Sequence, residues 1–121
     1  MNGIKMSDCK FYVNKERGAI ACVINVIDER PVRHAAYNFL SELEYDGVQI
    51  WPQIKSKLCT SYVGLAKCSP EDEWNEETGR KIAFARAKIA FYKDFFRVFR
   101  EYLMRLNDAA QKADEVYTTI F

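Results

Sequence analysis

The chain has 121 residues and a formal net charge of +1, because 18 lysines and arginines nearly balance 17 aspartates and glutamates. This length suits one domain with a modest hydrophobic core, and the balanced charge creates no overall positive field that would indicate a nucleic-acid partner. Residues 1–10 contain no continuous apolar run like that of a signal peptide, and no later run is long enough to span a bilayer. We therefore expect a cytoplasmic protein without a membrane partner.

The chain begins with a predicted β-hairpin. Residues 9–13 and 19–27 are rich in strand-forming residues and flank a polar turn that ends at Gly18, which can adopt a positive φ. Apolar residues occupy both faces of the second segment, so we expect both faces to be covered. After the hairpin, Pro31 and apolar residues at helical spacing predict an amphipathic helix at about 31–46 that ends near Gly47. Residues 48–52 are then expected to be short and extended, and residues 57–67 to form a third strand.

The segment 69–77 has the composition of a connector between a strand and a helix. Ser69 is a good N-cap with Pro70 behind it, and Asn75 offers a second cap for the helix that follows. A short helical turn between the two caps would use Trp74 as its packing pivot. Gly79 weakens a helix by about 1 kcal/mol relative to alanine, which indicates close approach by a strand or a ligand.

One long helix follows, from Glu76 to about Ala113 or beyond. Its apolar residues recur at alternating steps of three and four, which is the pattern of a coiled coil. We call this row the heptad seam; it comprises Ile82, Ala85, Ile89, Tyr92, Phe96, Phe99, Leu103, Leu106, Ala110, Ala113, Tyr117 and Ile120. A second apolar row runs beside it and comprises Phe84, Phe91, Phe95, Val98 and Tyr102. Such a helix would be roughly 57 Å long, so it either bends back or is covered by another chain, and we favour a homo-oligomer over folding onto the amino-terminal sheet.

The predicted fold class is therefore α+β. A small antiparallel sheet, formed by the hairpin and a third strand, is accompanied by one short helix and by a long C-terminal helix that packs in an oligomer. Residues 1–68 form the β-rich region, and residues 69–121 form the capped connector and the long helix of the same single domain.

The cysteines and the histidine give little support to catalysis or metal binding. Cys9, Cys22, Cys59 and Cys68 form no C-x-x-C pair, so we expect reduced, mostly buried thiols and neither a metal nor a cofactor. His34 is the single histidine, and the five glycines form no phosphate-binding fingerprint. We expect a protein that is not an enzyme.

Basic residues on the long helix suggest an anion site. Arg86, Lys93 and Arg100 recur every seven residues and form a cationic stripe beside the heptad seam. The stripe is either a solvated face that pairs with acidic residues, or a site where arginines hold phosphates and an aromatic ring stacks on a base. Phe91 and Tyr92 are further stacking candidates. The candidate ligand-binding residues are Trp74, Asn75, Arg80, Phe84, Arg86, Arg97 and Arg100.

The stretch "GLAKCSPEDEWNEETGRKIAFARA", residues 64–87, resembles a pattern of small bacteriophage and prophage proteins. In size and layout the chain is similar to the phage sponge family called Thoeris anti-defence type one. That family sequesters cyclic ADP-ribose isomers, and in some members other cyclic oligonucleotides, without cleaving them, and its members assemble as oligomers. The resemblance implies a homo-oligomer in the cytoplasm of an infected bacterium that binds a small cyclic nucleotide as its partner.

Two other functions are compatible with the same residues. The acidic segment 71–77 or the exposed helix would suit an inhibitor that binds a host defence protein, as anti-CRISPR proteins do. A structural phage component would use the heptad seam for assembly alone.

Overall fold

The structure is a computed structural model that describes residues 3–26, 30–69 and 71–120. Within these residues a turn of 3-10 helix at Met6–Asp8 precedes an α+β fold, as expected. The elements in chain order are β1 (Lys10–Asn14), β2 (Ala19–Asn25), α1 (Arg30–Glu42), α2 (Gly47–Lys55), β3 (Ser61–Lys67) and α3 (Glu76–Ile120). In the described part of the chain, none of the helices has both the length and the apolar character needed to cross a membrane.

The sheet has the order β1-β2-β3, and both pairings are antiparallel. The register aligns Phe11, Cys22 and Gly64 across the three strands. Gly18 closes the hairpin with a φ of 61°, as the glycine in the predicted turn requires. The hairpin and the third strand are confirmed, although β3 begins at Ser61 rather than near residue 57, and Ile27, the predicted end of β2, lies outside the described residues.

The expectation that both faces of β2 are covered is wrong. Burial alternates along β2, and Ile20, Cys22 and Ile24 are buried on the face that packs against α3. The opposite face of the sheet is open, and Val63 and Leu65 of β3 are exposed there. An antiparallel sheet tolerates this arrangement because it can be packed on one face only.

The chain between the hairpin and β3 forms two helices rather than the predicted one. α1 ends at Glu42, and Glu44 follows with a positive φ of 64°. Residues 48–52, predicted to be extended, lie inside α2 because Asp46 caps that helix: its Oδ1 accepts hydrogen bonds from the backbone N–H groups of Val48 and Gln49 at 3.0 and 3.4 Å. A cap of this kind typically contributes about 1 kcal/mol, and Ile50, Trp51 and Ile54 of α2 are buried in the core.

The helix α3 lies directly on the sheet, with glycines at the two closest approaches. A Cβ atom added to Gly64 would lie 2.0 Å from the carbonyl oxygen of Ala83 and 2.3 Å from the backbone nitrogen of Ala87. One added to Gly79 would lie 2.6 Å from Cδ1 of Ile20. Of the two reasons predicted for Gly79, a strand or a ligand, the contact with the Ile20 side chain of β2 supports the strand.

The two apolar rows of α3 have different surroundings. The residues of α3 that are buried in the core are Ala83, Ala87, Phe91, Phe95, Val98 and Phe99. The second row therefore supplies three of these six residues, while Ile82, Ile89 and Phe96 of the heptad seam are exposed. The helix does not bend back, because it continues without a break to Ile120. Assembly through the heptad seam stays a prediction.

The cysteines are free, as expected, but they are not mostly buried. Cys22 is buried, Cys9 and Cys68 are half-buried, and Cys59 is exposed. Among the described residues, no group of three or more histidine, cysteine, aspartate or glutamate side chains is arranged to hold a metal ion.

Candidate ligand-binding site

A cavity of about 230 Å³ lies where the hairpin turn, the end of β3 and the first turns of α3 meet. It brings together Trp74, Asn75 and Arg86 from the predicted ligand-binding set. The other lining residues are Gly18, Ile20, Ala66, Lys67, Cys68, Asp72, Glu73, Thr78, Gly79 and Ile82. The floor is apolar, and charged side chains of both signs surround it.

The connector between β3 and α3 shapes this cavity through local hydrogen bonds. The backbone N–H of Cys68 donates to the carbonyl oxygen of Gly18 at 2.6 Å, which fastens the end of β3 to the hairpin turn. The N–H of Asp72 then donates to the carbonyl oxygen of Ser69 at 3.0 Å. A single hydrogen-bonded turn therefore lies between the two predicted caps, and Pro70 lies outside the described residues.

Asn75 has a defined structural role beside the cavity. Its Oδ1 accepts a hydrogen bond from the backbone N–H of Thr78 at 3.0 Å, so it is the N-cap of α3, as predicted. The preceding Trp74 is half-buried against the core. The start of α3 therefore holds the tryptophan ring at the cavity wall.

Arg86 lies on α3 two helical turns after Gly79, and its side chain lines the cavity. Its Nη1 donates a hydrogen bond of 2.6 Å to the carbonyl oxygen of Leu65 on the free edge of β3. This bond uses one of the five N–H donors of the guanidinium and holds the group across the end of the strand. The remaining donors suit a planar anionic group such as phosphate or carboxylate.

A second hollow, also of about 230 Å³, adjoins the first on the side of the hairpin turn. The two share Gly18, Cys68, Asp72 and Trp74, so Trp74 and Asp72 stand between them. The second hollow adds Lys15, Glu16, Arg17 and Ser69 to the lining.

Two of the predicted arginines are engaged elsewhere. The guanidinium carbon of Arg80 lies 5.0 Å from the centre of the Phe11 ring, and its Nε lies 3.0 Å from a carboxylate oxygen of Glu76. Arg97 donates to Asp94 at 2.7 Å and to Glu101 at 3.1 Å. These contacts agree with the expectation that part of the basic face pairs with acidic residues.

The other predicted residues also lie away from the cavity. Arg100 follows Arg86 by two heptads, about 21 Å along the helix. Phe84 is half-buried, with Nζ of Lys88 at 5.0 Å from its ring centre. Phe91 is fully buried and is therefore unable to stack on a base.

Several lining residues were not predicted from the sequence. Lys67, Asp72 and Glu73 lie within the quoted stretch, and Lys15 and Arg17 belong to the hairpin turn. The turn and the connector are about 50 residues apart in the sequence, so spacing alone offered no signal for their contact. Gly79 was the available clue, because a glycine early in a helix marks close packing.

A partly buried group of hydrogen bonds lies elsewhere, under the middle of α3. The hydroxyl of Tyr62 donates to Oδ2 of Asp94 and accepts a bond of 3.0 Å from the backbone N–H of Cys59. Burial, reinforced by the bond to Asp94, raises the pKa of Tyr62. Burial opposes ionisation of Asp94, but hydrogen bonds from Tyr62 and Arg97 outweigh it and lower the pKa of Asp94. The group joins β3 to α3 and is separate from the cavity.

No protein-family model matches the chain, and no curated protein and no solved structure shows significant similarity to it.

Proposed function

We propose that this protein binds and sequesters a cyclic nucleotide signal, such as a cyclic ADP-ribose isomer, without cleaving it, and that it acts as a phage-encoded anti-defence protein in the cytoplasm of an infected bacterium. The observation that carries the proposal is the cavity in which Trp74 and Arg86 converge. These two side chains supply an aromatic surface for a base and a planar donor for a phosphate.

The rest of the lining suits the remaining parts of a nucleotide. Lys67 adds a second positive charge for the phosphates, and the carboxylates of Asp72 and Glu73 are acceptors for ribose hydroxyl groups. A nucleotide thus finds a partner for its base, its sugar and its phosphate. The mixed charge favours such a ligand over a simple anion, because ribose hydroxyl groups can donate hydrogen bonds to Asp72 and Glu73 whereas a simple anion is only repelled by them.

The size of the cavity points to a ligand with more than one part. Pockets for drug-sized ligands usually measure about 300–1,000 Å³, and each hollow measures about 230 Å³. A single hollow suits a nucleoside rather than a whole cyclic dinucleotide or cyclic ADP-ribose. The two hollows on either side of Trp74 suit the two halves of such a compound.

The sequence resemblance supports the same region. The stretch 64–87, which resembles the phage sponge pattern, contains most of the residues that line the first cavity. The cavity therefore lies in the part of the chain that carries the resemblance.

A capture-and-release experiment tests the proposal. The purified protein is incubated with cyclic ADP-ribose isomers and cyclic di- and trinucleotides, separated from free ligand and heat-denatured, and the supernatant is analysed by mass spectrometry. We expect one intact compound from the wild type and at least a tenfold lower yield from Trp74→Ala and Arg86→Ala. Arg100→Ala is the matched control, since it removes an arginine of the same stripe about 21 Å away, and should retain capture.

Each other outcome has a definite meaning. A cleaved product would make the protein an enzyme, and recovery of no compound would contradict the proposal. Equal loss of capture in Arg86→Ala and Arg100→Ala would move the site away from the cavity. Thermal unfolding of each variant shows whether a loss of capture reflects a loss of folding.

An inhibitor that binds a host protein is the second candidate. The observation that favours it is the open face of the sheet, where Val63 and Leu65 of β3 are exposed and Tyr12 of β1 is exposed on the far side of β2, with Ala21 between Tyr12 and Leu65. Exposed apolar patches of this kind often mark protein interfaces. Substitution of Leu65 by aspartate would abolish binding to such a host protein and would leave nucleotide capture unchanged.

A further inference from the structure

The heptad seam of α3 is open along most of the helix in the single chain. Ile82, Ile89 and Phe96 are 41%, 57% and 46% exposed, although they lie beside the part of α3 that packs on the sheet. Between them an apolar groove of about 410 Å³ is lined by Ala85, Lys88, Ile89, Tyr92, Lys93 and Phe96. The sheet therefore occupies one side of α3 and leaves the neighbouring apolar side uncovered.

The distal part of α3, residues 104–120, is even more exposed than the part beside the sheet. Every residue from 104 to 120 is exposed, over a length of about 25 Å. In proteins most helical stability comes from tertiary packing of an amphipathic face. The seam supplies such a face, with Leu106, Tyr117 and Ile120 at 46%, 63% and 68% exposed.

The exposed area matches what a stable dimer buries. The exposed fractions of the six seam residues just described are equivalent to about three complete large apolar side chains, roughly 500 Å² when each contributes ~150–200 Å². A standard interface buries ~800 Å² on each partner, of which up to ~65% is apolar. The two values agree at about 500 Å² per chain.

We propose that a second copy of this chain covers the heptad seam, with the two α3 helices antiparallel and crossing near Glu101. In this register the distal half of each helix occupies the groove of the other. Ala85 faces Tyr117 of the second copy, Ile89 faces Ala113, and Tyr92 faces Ala110. Phe96 and Leu106 face each other, and Ile82 faces Ile120.

Side-chain size favours this register over a parallel one. In the antiparallel pair each alanine of the seam lies opposite a large side chain, and such alternation fills the space between helices without voids. In a parallel, in-register pair Ala85, Ala110 and Ala113 would each face their own copy, while Tyr92 would face Tyr92. Voids between the facing alanines and crowding between the facing tyrosines would then destabilise the parallel pair.

The charges that flank the seam favour the same orientation. A parallel pair would place Lys81 against Arg86 and Lys88 against Lys93, and such flanking charges largely determine helix orientation in coiled coils. The antiparallel pair instead places Arg86 opposite Asp114 of the second copy. One like-charge pair remains at the centre, where the two Arg100 side chains face each other, so the antiparallel arrangement has fewer repulsive contacts.

Molar-mass measurement by light scattering tests the assembly. We expect the wild type at twice its chain mass of 14.1 kDa, and Ile89→Asp and Leu106→Asp at the single-chain mass under the same conditions. Met104→Asp is the matched control, because Met104 is 54% exposed on the same helix but lies off the seam, and it should remain dimeric. Leu106 is in the exposed half, so its substitution should leave the near-ultraviolet circular dichroism of the folded core unchanged.

Photo-cross-linking tests the orientation. With p-benzoyl-phenylalanine in place of Tyr117, the antiparallel register predicts cross-links to the tryptic peptide 82–86 of the second copy. Cross-links to the peptide 113–121 would show a parallel pair and overturn the proposed register. A wild type at the single-chain mass, or seam variants that behave like Met104→Asp, would overturn the use of this seam altogether.

Discussion

Replacing Gly64 by alanine tests the contact on which the whole fold depends. In an ordinary strand this change would be favourable by about 0.5–1 kcal/mol, because glycine loses more backbone freedom on folding. Here the new Cβ atom would lie 2.0 Å from the carbonyl oxygen of Ala83, whereas ordinary contacts of a Cβ begin at 3.4 Å. The obstacle is the backbone of α3, so no side-chain rotation can relieve it.

The cost follows from the movement that the helix would have to make. Restoring an ordinary contact requires a displacement of about 1.4 Å, and a gap of 0.5–1 Å already forfeits a quarter to a half of a dispersion contact. Ala83, Ala87 and Phe91 would all withdraw from the sheet. Overpacking typically costs ~1–3 kcal/mol and occasionally more, and we place Gly64→Ala at or above the upper end, about 3 kcal/mol or more.

Urea unfolding followed by circular dichroism measures this cost. The Leu106→Asp background, expected to be monomeric, keeps self-association from changing the apparent stability. Gly3→Ala is the control with nothing within 4 Å, and Gly79→Ala meets only the flexible end of Ile20, so both should stay within about 1 kcal/mol of the background protein. A Gly64→Ala variant as stable as these controls would show that α3 does not lie on β3.

Two further predictions concern buried groups. Tyr62→Phe should lower the free energy of unfolding by about 1.5–3 kcal/mol at pH 7. In the folded protein the pKa of Asp94 is below its ordinary value of 3.8. The stabilisation that Asp94 contributes is therefore present above pH 3.8 and is lost as the pH falls through the folded pKa. Urea unfolding from pH 7 to pH 3 should therefore show the deficit shrinking in acid, and a deficit independent of pH would contradict the pairing. For the thiols, iodoacetamide at pH 8 should label the exposed Cys59 first and Cys22 only after denaturation. Burial and the neighbouring Cys22 raise the pKa of Cys9 to about 12, which should slow the reaction of Cys9. Peptide mass mapping that finds Cys22 labelled before Cys59 would show that the sheet opens.

The sequence predicts elements best where local chemistry determines them. Gly18 and the polar turn indicate the hairpin, and Asn75 indicates the start of α3, because a positive φ and an N-cap depend on a few neighbouring residues. The segment 48–52 was mispredicted because its β-branched residues and Pro52 suggested an extended chain. The cap at Asp46 and the burial of Ile50 outweighed that preference, which illustrates how tertiary packing overrides intrinsic propensity.

The candidate site is less accessible to such reasoning. Trp74 and Arg86 were identified as an aromatic and a cation near a helix start, and the cavity contains both. Arg97 belongs to the same basic helix but is engaged with Asp94, and residue type alone does not distinguish the two arginines. The distinction arises from the fold, which packs the hairpin turn against the connector and so forms the cavity beside the first turns of α3.

Ile82 and Arg86 connect the cavity with the proposed interface. Both line the cavity, and in the antiparallel register they face Ile120 and Asp114 of the second copy. A partner helix at this position would close one side of a hollow that is otherwise open to solvent, and it would increase the buried fraction of any ligand held there. The cavity of the dimer would offer a ligand more contacts than the cavity of the single chain. Assembly and ligand capture would therefore be thermodynamically linked, and each would favour the other by the same factor.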